Sequence, residues 1–170
     1  MRVFVAIIFS REVKDKIYAV EQKLKAECAK GRFTNYDNLH LTLVFIGEKD
    51  DADIERITAL LDKIEFKPFA FTISGMGNFR RAGGGDIYWL GVKSEEVYTL
   101  RKQIHGLLKD FNIEPKFAAH ITLGREVAKK NSAAISYDEI KAEALQVDLM
   151  KSERVDSKLT YTPIFSKTLK

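Results

Sequence analysis

From Arg2 to Phe9 the chain is a nearly unbroken run of β-branched and aromatic residues, the pattern of a buried strand. Ser10 is placed to cap a helix. Val13, Ile17, Val20 and Leu24 recur at helical spacing, so the pattern predicts that helix from about Arg11 to Ala29, ended by Gly31. Leu39 to Ile46 reads as a second strand, closed by Gly47. Asp50 and Asp51 open another helix with Ile54, Ile57, Leu60, Leu61 and Ile64 on its buried side, and Pro68 stops it. Phe69 to Ser74 reads as a strand.

A loop with Gly75, Gly77 and Gly83-Gly84-Gly85 comes next, and then the pattern begins again. Ile87 to Val92 is a strand. Ser94 caps a helix whose apolar stripe is Val97, Leu100, Ile104, Leu107, Leu108 and Phe111. His120 to Gly124 is a strand. Tyr137 to Ala142 is expected as a short helix, and the stretches around Leu145–Leu149 and Leu159–Leu169 as strands. The glycine run matches no phosphate-binding loop. It is expected as a mobile connection between lobes. Strand, helix and strand thus occur twice, with Ile8 to His40 spanning 32 residues and Val92 to His120 spanning 28. Two such halves predict an α+β fold of two lobes related by a pseudo-twofold axis.

Each half carries one chemical motif at the same place: His40-Leu41-Thr42-Leu43 and His120-Ile121-Thr122-Leu123. Residues two apart on a strand share a face. Each motif therefore presents an imidazole and a hydroxyl together and sends its apolar residues to the core. One such strand alone is more often a histidine satisfied near the core. Two copies at matched positions of a repeat favour function. Facing each other, they suit phosphodiester cleavage. One neutral imidazole takes a proton from water, the other gives one to the leaving oxygen, and hydroxyls hold the charged oxygens. His105 has no such context and reads as surface. No Cys, Asp or Glu joins the two histidines in their own strands, so a metal site is not expected.

The net charge of +4 suits brief contact with a polyanion without identifying one. A lone cysteine, Cys28, allows no internal disulfide and suits a reducing compartment. The opening apolar stretch is too short to span a bilayer and lacks a cleavage pattern, so the cytoplasm is the expected location, with no membrane.

Taken in order, several stretches resemble the two-histidine phosphoesterase superfamily, and within it the RNA 2',3'-cyclic phosphodiesterase branch, also named 2'-5' RNA ligase. They are Met1 to Ile7, Asn38 to Glu48, Gly75 to Phe79, Tyr88 to Val92 and His120 to Arg125. The resemblance covers most of the chain. It implies a single two-lobed domain over residues 1–170, with two antiparallel sheets and flanking helices around a central cleft. It implies a monomer that hydrolyses the 2',3'-cyclic phosphate at an RNA end to a 2'-phosphate, without metal or other cofactor. A reverse 2'-5' ligation is implied by the family name. By this analogy His40 is the proton donor and His120 the proton acceptor, while Thr42, Thr122 and Arg125 bind substrate. Strict alternation puts Arg125 on the face opposite His120, so the strand has to end or twist there. The chain departs from the family at Ala119 and at Arg80-Arg81-Ala82-Gly83, where proline is often found. These changes leave the catalytic pairs intact and alter the nucleotide side.

Two other readings use the same residues. One is a phosphodiesterase of this fold acting on another cyclic or 2',5'-linked nucleotide. The other is an RNA-binding module without catalysis, with Phe45, Tyr88 and Trp89 as stacking platforms.

Overall fold

The computed structural model describes residues 1–170. Nine strands form two sheets, and every pairing is antiparallel. Strand β1 (Arg2–Ile8) runs into helix α1 (Arg11–Ala26), capped as expected by Ser10, whose Oγ accepts from Val13 N. Then come β2 (Cys28–Phe33), β3 (His40–Glu48), α2 (Asp51–Leu61) and β4 (Phe69–Phe79). The second half holds β5 (Asp86–Lys93), α3 (Glu95–Leu107), β6 (His120–Lys129), β7 (Ile140–Ala144), β8 (Gln146–Val155) and β9 (Lys158–Thr168).

The sheet orders are β3-β1-β8-β9 and β2-β6-β5-β4-β7. Apart from the added β2, one order maps onto the other: β3 to β6, β1 to β5, β8 to β4, β9 to β7. The duplication is therefore real at the level of topology, and it includes an exchange. Strand β4 follows the first half in sequence but pairs with β5, while β8 follows the second half and pairs with β1. One apolar core of 34 buried residues runs through both sheets and the helices. The apolar stripes do what their spacing predicts: Val13, Ile17, Val20 and Leu24 of α1 are buried, as are Val97, Leu100 and Ile104 of α3. Glu21 is buried beside them on α1, and burial pushes its carboxyl up to about 8.

Five local expectations are corrected. The first helix ends at Ala26 instead of Ala29, where the Glu27 N–H bonds Leu24 O. The segment beyond pairs with the edge of β6, from Cys28 opposite Lys129 to Phe33 opposite Gly124. Gly31 breaks no helix; it leaves room for the Phe33 ring, which would lie 2.8 Å from a Cβ there. The second helix stops at Leu61, although Ile64 is still buried beyond it. Tyr137–Ala142 is not a helix. Ile140, Ala142 and Ala144 are buried in alternation with Lys141 and Glu143, and they complete the sheet beside β4. Residues of good helix propensity are here overruled by an open sheet edge.

The fourth correction concerns the glycines. Gly75 and Gly77 lie inside β4, not in a loop. Gly75 sits at a bulge with φ +79, and Gly77 leaves room for Trp89, whose ring would lie 2.3 Å from a Cβ. Only residues 80–85 form a turn, and it closes a β4–β5 hairpin within one sheet instead of linking lobes. His105 is half-buried, near the Ile113 carbonyl, instead of a free surface residue. No helix is long and apolar enough to cross a membrane.

Candidate active site

The two motif strands begin at equivalent register positions. His40 lies opposite Ile8 of β1, and His120 opposite Gly91 of β5. Thr42 lies opposite Ala6 and Thr122 opposite Trp89. Burial repeats as well: in both strands the histidine and threonine are half-exposed, while Leu41 and Leu43, or Ile121 and Leu123, are buried.

A β-bulge then falls at the same place in both strands. Val5 pairs with Val44 and Ala6 with Thr42, which leaves Leu43 as the extra residue. Tyr88 pairs with Gly124 and Trp89 with Thr122, which leaves Leu123 extra. An extra residue reverses the alternation beyond it. The fifth residue after each histidine therefore turns back to the histidine's side. This is the physical reason that Arg125 shares a cleft with His120, and Phe45 takes the matching place after His40.

All five residues expected to act meet in that cleft, about 390 Å³ in volume: His40, Thr42, His120, Thr122 and Arg125. Strand β3 contacts β6, which joins the two sheets and brings the halves face to face. Residues outside the motifs also line it, among them Phe4 on β1, Arg32 on β2, and Arg154 and Tyr161 on the β8–β9 hairpin. Asn38 also lines it. It precedes the first motif, is buried, and donates from Nδ2 to Leu159 O at 2.8 Å, pinning that hairpin to the site.

Hydrogen bonds set the protonation of both imidazoles. His40 Nδ1 lies 2.6 Å from Asn38 O, and His120 Nδ1 lies 2.6 Å from Ala118 O. A carbonyl only accepts, so each Nδ1 carries the proton and each Nε2 is left for chemistry. The Thr42 hydroxyl donates to His40 Nε2 at 2.7 Å. The second motif has no such bond, so the halves differ here. Aromatic rings wall both histidines: Phe4 and Tyr161 stand 5.0 and 5.3 Å from His40, and Phe79 and Trp89 stand 5.2 and 6.3 Å from His120. Burial pushes His40 down to about 4, and nearby positive charge on His120, Lys14 and Arg125 acts in the same direction, against the Asn38 carbonyl. His40 is thus neutral at pH 7 in the free protein. No three His, Cys, Asp or Glu side chains gather as a ligand set for a metal ion.

The aromatics considered as stacking platforms divide. Phe45 is exposed at the cleft with the Arg2 guanidinium 5.0 Å over its ring. Tyr88 packs against the core, and Trp89 lies beside His120.

A family model described as LigT like phosphoesterase matches residues 8–88. An RNA 2',3'-cyclic phosphodiesterase of Archaeoglobus fulgidus is 33% identical over 134 residues, which are 77% of this chain and 75% of that one. One of Thermotoga maritima is 35% identical over 130 residues, 74% of this chain and 70% of that one. Among solved structures, E. coli LigT complexed with 3'-AMP matches with a TM-score of 0.82 at 25% identity, covering 99% of this chain and 97% of that chain.

Proposed function

This chain belongs to the RNA 2',3'-cyclic phosphodiesterase family, and on that premise we propose that its cleft opens the 2',3'-cyclic phosphate of an RNA end to a 2'-phosphate. The observation that carries the reading is the pair of equivalent, bulged His-x-Thr strands meeting in one cleft with Arg125. Water attacks phosphorus while the P–O3' bond breaks. His120 takes the proton of the water at Nε2, and His40 delivers one from Nε2 to the departing 3' oxygen. The Asn38 and Ala118 carbonyls hold both rings in the orientation this needs. Thr42, Thr122 and Arg125 bind the non-bridging oxygens, where charge grows in the transition state. With the 5'-hydroxyl of a second RNA strand attacking in place of water, the same ring opening forms a 2'-5' phosphodiester and frees the 3' hydroxyl, which is 2'-5' ligation. The protein acts in the cytoplasm as a monomer, and the two sheets with their helices form one catalytic domain.

Since His40 is neutral in the empty cleft, its proton has to be stabilised by the substrate. An anionic phosphate between the motifs favours imidazolium and raises the pKa again. This gives a signed pH prediction. Below about pH 4 His40 takes up a proton in the free protein and the pair loses the neutral imidazole it needs as a base; once the pair has given up both protons no acid remains. The kcat/KM profile is therefore a bell whose acid limb lies near pH 4, well below a free imidazole. The limbs belong to the pair and not to single residues. The kcat profile, set by the bound complex, is displaced to higher pH. Profiles measured on a cyclic-phosphate substrate check this; a flat profile, or a kcat bell at lower pH than the kcat/KM bell, contradicts it.

A further inference from the structure

If the substrate is the end of an RNA, as just proposed, the strand upstream of that end has to leave the cleft. We propose that it leaves over the edge strand β2 and the β4–β5 turn, where Lys30, Arg80 and Arg81 bind its phosphates. Arg32 lines the cleft and also an adjoining groove of about 350 Å³, whose other lining residues are Lys30, Gly31, Gly84 and Glu126. Arg32 is the one residue that the groove and the cleft share. The groove has no apolar lining residue, so it fits a charged backbone and not a base.

The turn is shaped to form its wall. Gly83, Gly84 and Gly85 have φ +94, +91 and +83, a run of left-handed positions that only glycine adopts readily. They lay the turn against β6, so closely that a Cβ on Gly85 would stand 2.7 Å from Glu126 Cα. Arg80 and Arg81 precede these glycines in the same turn, and both are exposed, as is Lys30 on β2. Glu126 is the one carboxylate lining the groove. It stands at a left-handed position, φ +54, and its Oε1 accepts from Arg32 Nη2 at 2.9 Å. Its charge is thus matched, which leaves Lys30, Arg80 and Arg81 for a polyanion. β2 has no strand on its outer side, so the path is open.

The test compares two substrates of the same chemistry: adenosine 2',3'-cyclic phosphate and an oligoribonucleotide of about ten residues ending in that group. In the triple variant Lys30→Ala, Arg80→Ala, Arg81→Ala, kcat/KM for the oligonucleotide falls by about 10-fold or more. Its log–log salt dependence flattens by about 2, as expected for three lost phosphate contacts to a single strand. The mononucleotide rate is unchanged, because none of the three touches the cleft. Equal losses on both substrates, or an undiminished oligonucleotide rate, overturn the path while leaving the proposed function standing. A wild-type protein that opens neither substrate overturns both.

Discussion

His40→Ala and His120→Ala are each expected to lower kcat by about 10²–10⁴-fold. Acid and base act in one transition state, so losing either removes the concerted proton transfer. That corresponds to about 3–5 kcal/mol of transition-state stabilisation. The double variant should be little worse than the worse single one, since the two residues act as a unit. The walls of the site are independent of the imidazoles: Phe4 and Tyr161 also touch each other at 4.9 Å, and Phe79 and Trp89 at 5.4 Å. Circular dichroism of the variants should therefore match the parent. Full activity in either single variant contradicts the pairing.

Thr42→Val and Thr122→Val remove one hydroxyl each and nearly preserve shape. Each is expected to lower kcat by up to about 10²–10³-fold, the cost of losing one donor to a developing oxyanion. The two should differ in their pH profiles. The Thr42 hydroxyl donates to His40 Nε2 and so favours neutral imidazole in the empty cleft. Removing it raises the pKa of His40 and moves the acid limb of kcat/KM upward. No such bond joins Thr122 to His120, so Thr122→Val should lower the height and leave the limbs in place. Limbs that shift in both variants without any loss of height would show that the hydroxyls serve the histidines and not the phosphate.

The two motifs are legible in the sequence because strand periodicity and duplication act locally. His40, Thr42, His120 and Thr122 need only the rule of alternating faces. Arg125 needs more. Alternation places it opposite His120, and the bulge at Leu123 that reverses it leaves no mark in the residue types of a single strand. Its counterpart at Leu43 shows that the device is duplicated, which a comparison of the two pairing registers makes visible. Tyr161 and Arg154 are not legible at all. They reach the cleft because β8 returns to pair with β1 and carries β9 with it, a contact between chain segments about 150 residues apart. Strand β7 is hidden for the same kind of reason: Glu139, Lys141 and Glu143 favour a helix in isolation, and the vacant flank of β4 decides otherwise. The β4–β5 turn shows in the sequence as a glycine-rich break. Its partner strands, and so its place beside Arg32, come only from the pairing.

The most direct test of the central claim uses an RNA oligonucleotide ending in a 2',3'-cyclic phosphate, incubated with the protein in EDTA. Complete opening to a terminal 2'-phosphate is expected, at the same rate with and without chelator, because two imidazoles and no metal move the protons. No turnover, opening to a 3'-phosphate, or activity that EDTA abolishes and zinc restores would contradict it.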